Sequence, residues 1–373
     1  MWERRSAAND LFTKRHRDVE KTRDQFLCVS VSLCKFCRCI RGGTPLPRST
    51  AHRRSITVKS PLHRFAAFAF ATYLVATPTT AFVGRVDFAP EGDFSEAAVF
   101  RGVRATRAQC DAVASAIWVQ VAAHEECLRY WKAGFGAGAV KRAVVFFPGD
   151  VWVGAGKTSE NYLRLTPALL QESADLWAQR LGVPYIFFAR PGTYGSSGDH
   201  MQRRRLFESQ LVSAALDQLK VRYRVEEFVL VGQSGGGHVT ASLLTQRSDI
   251  VCAVPTSSVS SPRVRWTLRR WSGDSTGYAD SYEPTEHLAK EKTHERLRVF
   301  VLGDTHDINV VWPSQMILAD KLRELQVPVE VLHGEATGPE RHSLANSGRL
   351  VAGWCAQELP TEEILRRSSD LRG

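Results

Sequence analysis

Short apolar runs alternate with helix-like stretches along most of this chain, from Lys141 onward. Runs such as RAVVFF and EFVLVG are rich in the β-branched and aromatic residues that favour strands. Strands that are apolar throughout are buried on both faces, and strands that alternate with helices usually pair in parallel. The sequence therefore predicts an α/β fold, with a mainly parallel central sheet and helices on both of its faces.

The predicted strands cover residues 142–147, 184–189, 227–232, 250–254, 298–302 and 328–332. The predicted helices cover residues 167–181, 204–221, 237–246, 313–325 and about 343–357. Between them, residues 255–297 are rich in Ser and Arg, which favours a small cap or substrate wall over a large lid domain. We expect one domain over residues 86–359, followed by a C-terminal tail over residues 360–373.

The basic character of the chain belongs to its first residues. The net charge is +10, and residues 1–64 contain 15 Lys or Arg against 5 Asp or Glu, so the remainder is balanced. A domain that binds a phosphate backbone normally has a basic excess of its own, so this balance argues against a nucleic-acid partner. Because residues 1–64 show no sustained periodicity, we expect a basic leader that is disordered or precedes the true start.

Residues 65–81 read FAAFAFATYLVATPTTA and follow several basic residues. A positive segment, an apolar run and small residues at the end together form the pattern of a secretory signal, and the run is short for a membrane span. This pattern predicts a secreted or periplasmic protein with no integral membrane association once the leader is removed. A packed helix behind a basic tail, an organellar transit sequence and a cytoplasmic location remain open.

The eight cysteines fall into two groups. Four lie within residues 28–39, but no His pair or second CxxC follows at zinc-finger spacing, so we expect no metal there. Cys110 and Cys127 bracket a short segment, and they are predicted to form a disulfide if the protein is exported. In the cytoplasm both would be ordinary thiols.

The sharpest local signal is VLVGQSGGGHVT, residues 229–240, in which an apolar strand runs into a glycine-rich turn and then a helix. This is a G-x-S-x-G pattern centred on Ser234. A strand that reverses directly into a helix strains the residue at the turn, and its neighbours must be small enough to let strand and helix approach. The amide of Gly235, at the start of the helix, is placed to stabilise an oxyanion.

A serine nucleophile needs a base and an acid that orients it. Loops after later predicted strands supply both: DTHD contains Asp304 and Asp307, and HGEATGPERH contains His333 and His342. We favour Asp307 over Asp304 because Asp304 abuts the strand end. We favour His342 over His333, which also lies at a strand end, because His342 occupies a polar loop from which a base can reach the nucleophile.

The order Ser, Asp, His and the segments FFPGD, ARPGTYGSSGDH and GQSGGGH resemble the α/β-hydrolase superfamily, its serine esterase, lipase or prolyl-oligopeptidase-like branches. The resemblance covers about residues 143–354. It implies the α/β-hydrolase fold and a second oxyanion amide from Asp150 or Val151. Pro148 stands where the family often has a His-Gly pair, which leaves the identity of that donor open.

The resulting hypothesis is a serine hydrolase that cleaves a small-molecule carboxylic ester or related acyl substrate without a cofactor or metal. A serine peptidase or amidase on the same fold is one alternative. A noncatalytic binding protein that retains the fold is another.

Several other polar residues receive structural interpretations. His238 follows the turn within the helix, and we expect it to be a packed structural residue. Tyr194 is interpreted equally as an oxyanion donor or a turn residue, and Arg190 as an anchor of its loop. The consecutive arginines 203–205 are interpreted as a solvated helix face.

Overall fold

The structure, a computed structural model, describes residues 84–92, 94–153 and 157–373. The predicted leader, residues 1–64, the signal-like segment 65–81 and the cysteines within residues 28–39 lie outside the described residues. Contacts group the described residues into a single unit.

Within this part of the chain, eight strands form the central sheet. They are β1 (Ala116–Val121), β2 (His124–Ala133), β3 (Val140–Phe147), β4 (Tyr185–Phe188), β5 (Val225–Gln233), β6 (Ile250–Thr256), β7 (Arg298–Gly303) and β8 (Val329–His333).

The strands lie in the order β8-β7-β6-β5-β3-β4-β2-β1. Strand β2 is antiparallel to both β1 and β4, whereas every pair from β4 to β8 along the sheet is parallel. Gln233 at the end of β5 pairs with Thr256 at the end of β6, and Gly303 at the end of β7 pairs with His333 at the end of β8. The carboxyl ends of these strands, and the loops that follow them, therefore meet at one edge of the sheet.

The principal helices are α1 (Pro167–Leu181), α2 (Leu206–Tyr223), α3 (Gly235–Leu243), α4 (Pro262–Leu268), α5 (Trp312–Glu324), α6 (Ala345–Ala356) and α7 (Thr361–Arg367). Shorter elements are the helices Glu96–Arg101, Arg107–Asp111, Glu160–Leu163 and Pro284–His287, the 3₁₀ turns His200–Gln202 and Lys290–Lys292, and the two-residue strands Val86–Asp87, Val103–Arg104, Trp152–Val153 and Lys157–Thr158.

Each face of the sheet carries its own apolar core. Along β3, Val144 and Phe146 belong to the core beneath α1 and α6, whereas Val145 and Phe147 belong to the core beneath α2, α3 and α5. The strand is buried on both sides because successive side chains point to opposite faces. This arrangement confirms the predicted fold class, a mainly parallel sheet covered on both faces, and the strand order is that of the α/β-hydrolase fold.

Two parts of the fold depart from the predictions. The sheet begins earlier than Lys141, with the hairpin of β1 and β2, which the sequence analysis did not predict as strands. Residues 360–373, expected as a C-terminal tail, contain α7 and pack on the domain: Ile364 in α7 is fully buried, and Leu371, beyond the helix, is 6% exposed. The amide of Glu335 donates to the carbonyl of Leu371 at 2.9 Å, which fixes the last residues beside β8.

Two disulfides occur in the described residues. Cys110 and Cys127 are bonded, which is the pairing expected for an exported protein. Cys252, in β6, is bonded to Cys355, in α6, across 103 residues of sequence, and this second bond was not predicted. It ties a central strand to the helix that covers it.

In the described ranges, no helix is both long and apolar enough to cross a membrane. The same ranges contain no group of three or more His, Cys, Asp or Glu arranged to hold a metal ion.

Candidate active site

Ser234 occupies the tight turn between β5 and α3. Its backbone has φ 54° and ψ −115°, a conformation that costs a non-glycine residue about 1–3 kcal/mol. Three backbone hydrogen bonds hold it: its amide donates to the carbonyl of Thr256 at 2.8 Å, and its carbonyl accepts from the amides of His238 and Val259, both at 3.2 Å. The neighbouring strand and the first turn of α3 thus impose the strained turn that the sequence predicts.

The glycines around Ser234 are required by close backbone contacts. A Cβ atom on Gly232 would lie 2.1 Å from the carbonyl oxygen of Gly236. A Cβ atom on Gly236 would lie 2.1 Å from the carbonyl oxygen of Phe147, at the end of β3. The turn after β5 can therefore pack this closely against α3 and the end of β3 only if residues 232 and 236 have no side chain.

His342 and Asp307 are joined by a hydrogen bond. His342 Nδ1 lies 2.8 Å from Asp307 Oδ2, which leaves Nε2 of the imidazole free of this contact. The Asp307 carboxylate is fixed by three further donors: the amides of Asn309 and Val310, both at 2.8 Å, and Gln315 Nε2 at 3.2 Å. The structure thus places the favoured acid and the favoured base in contact.

The two alternative residues lie elsewhere. The Asp304 carboxylate accepts from the amides of His306 and Ala336 and from Arg341 Nε, at 2.8 to 2.9 Å. Burial raises its pKa, but these donors outweigh burial and lower the pKa overall. His333 packs against Trp312, with ring centroids 5.0 Å apart, and lines a separate surface pocket together with Asp304. Neither alternative residue lines the cavity that contains Ser234.

Gln233, the residue before Ser234, holds the loop that carries His342. Its Nε2 donates to the carbonyl of His342 at 2.8 Å, and its Oε1 accepts from the amide of Leu344 at 3.2 Å. The sequence analysis missed this residue. Its partners lie more than a hundred positions downstream, and no local pattern indicates such a contact.

The loop after β3 approaches Ser234 as predicted. A Cβ atom on Gly149 would lie 3.3 Å from Ser234 Cβ, and Asp150 and Val151 line the same cavity as Ser234. Within the described residues, the amides of Asp150 and Val151 donate to no protein atom. The amide of Gly235, in the first turn of α3, has no acceptor within its own helix. All three predicted oxyanion donors therefore lie at the site, and the contacts do not distinguish Asp150 from Val151.

The Asp150 carboxylate belongs to a buried ion cluster, defined by the acids Asp150, Glu208 and Asp274 and the arginines Arg190, Arg203 and Arg204. Asp150 accepts from all three arginines. Arg190 also pairs with Glu208, and Arg204 also pairs with Asp274. Burial opposes ionisation of Asp150, but the positive charges of Arg204, Arg203 and Arg190 hold its pKa well below the usual value.

The cluster corrects one interpretation and confirms another. Arg203 and Arg204 are 2% and 0% exposed, so residues 203–205 are not a solvated helix face; only Arg205 reaches solvent, where its guanidinium lies over Tyr278. Three positive charges are tolerated here because three carboxylates neutralise them. Arg190 anchors its loop as expected, through Asp150 and Glu208.

Two histidines beside this cluster are buried. His238 Nε2 lies 2.8 Å from the carbonyl oxygen of Tyr282, and burial lowers the pKa of His238 to about 4. This contact agrees with the structural interpretation of His238. His200 is fully buried, and burial together with the charges of Arg203 and Arg190 lowers its pKa well below the ordinary value.

Tyr194 is a turn residue, with φ 48°, and its ring packs among Phe94, Tyr162 and Phe187. Burial raises its pKa, so its hydroxyl stays protonated. Tyr194 also lines the cavity, so its place in the turn is compatible with its other predicted role as an oxyanion donor.

The cavity that contains Ser234 and His342 has a volume of about 920 Å³. One wall comes from the predicted cap, residues 255–297, through side chains that include Val259, Arg265, Arg269 and Trp271. This segment holds α4 and short turns rather than a separate domain, as the sequence predicts.

Comparison with known proteins gives similarity of fold alone. No protein-family model matches the chain, and no curated protein matches it. Among solved structures, acylaminoacyl peptidase from Pyrococcus horikoshii is 15% identical with a TM-score of 0.47, over 67% of this chain and 43% of the peptidase. The esterase Pf2001 from Pyrococcus furiosus is 14% identical with a TM-score of 0.44, over 71% of this chain and 96% of the esterase. Est1E from Butyrivibrio proteoclasticus, with ferulic acid bound, is 12% identical with a TM-score of 0.46, over 65% and 98%.

This chain therefore spans less than half the length of the peptidase.

Proposed function

We propose that this protein is a serine hydrolase that cleaves a carboxylic ester or related acyl bond through Ser234, His342 and Asp307. The observation that carries the proposal is the hydrogen bond between His342 Nδ1 and Asp307 Oδ2. His342 lines the same cavity as Ser234, which stands on its strained turn. Acid, base and nucleophile come from three loops that the parallel sheet brings to one edge.

In the proposed reaction, Ser234 Oγ attacks the acyl carbon while His342 Nε2 accepts the hydroxyl proton. Asp307 keeps the imidazole in the orientation and tautomer that leave Nε2 free to act as a base. The amides of Gly235 and of Asp150 or Val151 donate to the oxyanion of the tetrahedral intermediate.

His342 then returns the proton to the leaving alcohol, and the acyl group remains on Ser234. A water molecule, activated in the same way by His342, attacks the acyl-enzyme, and the acid is released with Ser234 restored.

A fluorophosphonate probe tests the nucleophile. The wild-type protein should be labelled and the Ser234→Ala variant should not. Ser242→Ala, which changes a buried serine in the helix that follows Ser234, serves as the matched control and should still be labelled. No labelling of either the wild type or the control would favour a noncatalytic binding protein. p-Nitrophenyl esters of graded length, assayed beside aminoacyl amides, then distinguish the esterase from the peptidase or amidase alternative.

We also propose that the protein is exported. Two disulfides among the described residues support this, because such bonds persist in oxidising compartments. The amino-terminal sequence of the mature protein tests it, since export predicts cleavage near residue 81. A cytoplasmic protein that keeps its leader, with Cys110 and Cys252 present as free thiols, would contradict the proposal.

A further inference from the structure

Two arginines of the cap lie together in the wall of the Ser234 cavity. Arg265, in α4, and Arg269, just beyond its end, both line the cavity. Their guanidinium carbons lie 5.0 and 4.4 Å from the ring centroid of Trp271. Both also donate to the carbonyl oxygen of Asn309, at 3.1 and 3.3 Å. Two positive charges thus share one indole ring and one carbonyl oxygen.

Neither arginine has an acidic partner. In the part of the chain that the structure describes, no carboxylate oxygen lies within 4.0 Å of a nitrogen of Arg265 or Arg269. Arg265 is nonetheless only 7% exposed. Three other buried arginines, Arg142, Arg204 and Arg247, each form an ion pair. Arg129, which is 2% exposed, has no acidic partner among the described residues either, and its side chain donates to Ser115 and to the carbonyl of Pro90. Arg269 is half-buried. Two like charges this close together, one of them buried, are unfavourable unless an anion neutralises them.

The acids nearest to this pair are already engaged. The negative charges of Asp150 and Asp274 raise the pKa of Arg265, but both carboxylates are bonded to arginines of the buried ion cluster. Glu340 lies at the exposed rim of the cavity, where it accepts from Asn309 Nδ2 at 2.7 Å. Burial and the positive charge of Arg204 lower the pKa of Arg265 to about 10, so the guanidinium remains charged at neutral pH.

Both side chains keep donors for a ligand. Nη1 of Arg265 and Nη2 of Arg269 donate to no atom of the described residues. Guanidinium groups bind carboxylates through short, charge-assisted hydrogen bonds, and the stacking on Trp271 limits the orientations that these two can adopt. The cavity volume, about 920 Å³, suits a small organic acid next to the ester group.

We propose that Arg265 and Arg269 bind a carboxylate of the substrate, so that the preferred substrates are esters that carry a free carboxylate. This inference rests on the proposed function, because it assigns a substrate class to the cavity of Ser234. The carboxylate supplies the acidic partner that Arg265 and Arg269 lack, and its binding positions the ester group for attack.

The test compares esters of equal length that differ in one charge. In the first pair, mono-p-nitrophenyl glutarate carries the charge in its acyl part and p-nitrophenyl pentanoate is its neutral counterpart. In the second pair, 4-acetoxybenzoate carries the charge in its alcohol part and phenyl acetate is the neutral counterpart. After correction for alkaline reactivity, we expect the wild type to prefer the anionic ester of at least one pair by about tenfold or more in kcat/KM. Arg265→Gln and Arg269→Gln should each reduce this ratio several-fold, and the double variant should abolish it.

The ratio is insensitive to a partial loss of folded protein, which would lower both rates equally. Arg323→Gln is the matched control, because Arg323 is exposed on α5, where it pairs with Asp320, and it should keep the wild-type ratio. Glutarate should inhibit the wild type competitively, with an inhibition constant that rises at least about tenfold in the double variant. Stronger inhibition by inorganic phosphate than by glutarate would overturn the assignment of a carboxylate.

Failure of this inference is distinct from failure of the proposed function. A wild type that reacts with the fluorophosphonate and cleaves neutral esters, but shows no preference in either pair, contradicts the anion site alone. A preference that survives in the double variant contradicts it equally. A wild type that neither reacts with the probe nor cleaves any ester contradicts the proposed function itself.

Discussion

The side chain of Gln233 is hydrogen-bonded to the backbone of His342: Gln233 Nε2 donates to the His342 carbonyl at 2.8 Å. Gln233 Oε1 accepts from the amide of Leu344, so one side chain holds the loop at His342 and again two residues further along. Gln233 directly precedes Ser234. The end of one strand therefore carries the proposed nucleophile and, in the residue before it, the side chain that holds the loop of the proposed base.

Gln233→Ala should lower kcat/KM by about 10–100-fold, mostly through kcat, because a loosened His342 loop misplaces the base. Steady-state kinetics and the rate of fluorophosphonate labelling measure the effect. Gln218→Ala is the control, since Gln218 also donates through Nε2 to a backbone carbonyl, that of Trp118, but at an exposed position. Equal kinetics for both variants would show that Gln233 has no positioning role.

Asp307→Asn and Asp304→Asn should differ strongly in activity. Asp307→Asn should reduce kcat by about 10³–10⁴-fold, the order found when the acid of a serine triad is neutralised, because His342 loses the acceptor that fixes its tautomer. Asp304→Asn should mainly reduce stability, since Asp304 binds backbone amides and Arg341. Similar losses of kcat in both correctly folded variants would contradict the choice of Asp307.

Buried His238 should make the protein less stable in acid. Burial lowers its pKa from 6.5 to about 4 in the folded state, so between these values the unfolded chain binds more protons. Its contribution to the free energy of unfolding is therefore complete above pH 6.5 and is lost, by about 3 kcal/mol, as the pH falls towards 4. Urea denaturation at several pH values measures this loss. In His238→Asn, the free energy of unfolding should fall less steeply between pH 6.5 and 4. An unchanged slope would exclude His238 as its source.

The two disulfides should contribute unequally to stability. The bond between Cys252 and Cys355 closes 103 residues, whereas that between Cys110 and Cys127 closes 17. On a chain-entropy account these closures are worth about 4.7 and 3 kcal/mol. Urea denaturation of the double variants C252A/C355A and C110A/C127A should show the larger loss for the first pair. A larger loss for the second would mean that loop closure does not dominate.

The sequence predicted those parts of the fold and site that have a local signature. Apolar runs located the six parallel strands because burial on both faces demands such composition, and the glycines around Ser234 located the turn because the backbone there leaves no room for side chains. Asp307 was distinguished from Asp304 by its distance from the strand end, a local cue that agrees with the contact to His342.

Features that depend on distant partners could not be predicted in this way. Arg203 and Arg204 look like surface residues in the sequence, because the acids that neutralise them lie more than fifty positions away. The bond between Cys252 and Cys355 and the contact of Gln233 with His342 also join segments that only the folded sheet brings together.

Arg204 connects two parts of the candidate site, the loop of Asp150 and the cap segment of Asp274. One guanidinium bonds both to Asp150, beside the proposed oxyanion donors, and to Asp274, in the segment that walls the cavity. A change in the wall that displaced Asp274 would leave Arg204 unbalanced and would disturb the loop of Asp150 as well. Evolution of a new substrate range in this protein is therefore constrained to substitutions that spare Asp274, or that replace its charge at the same time.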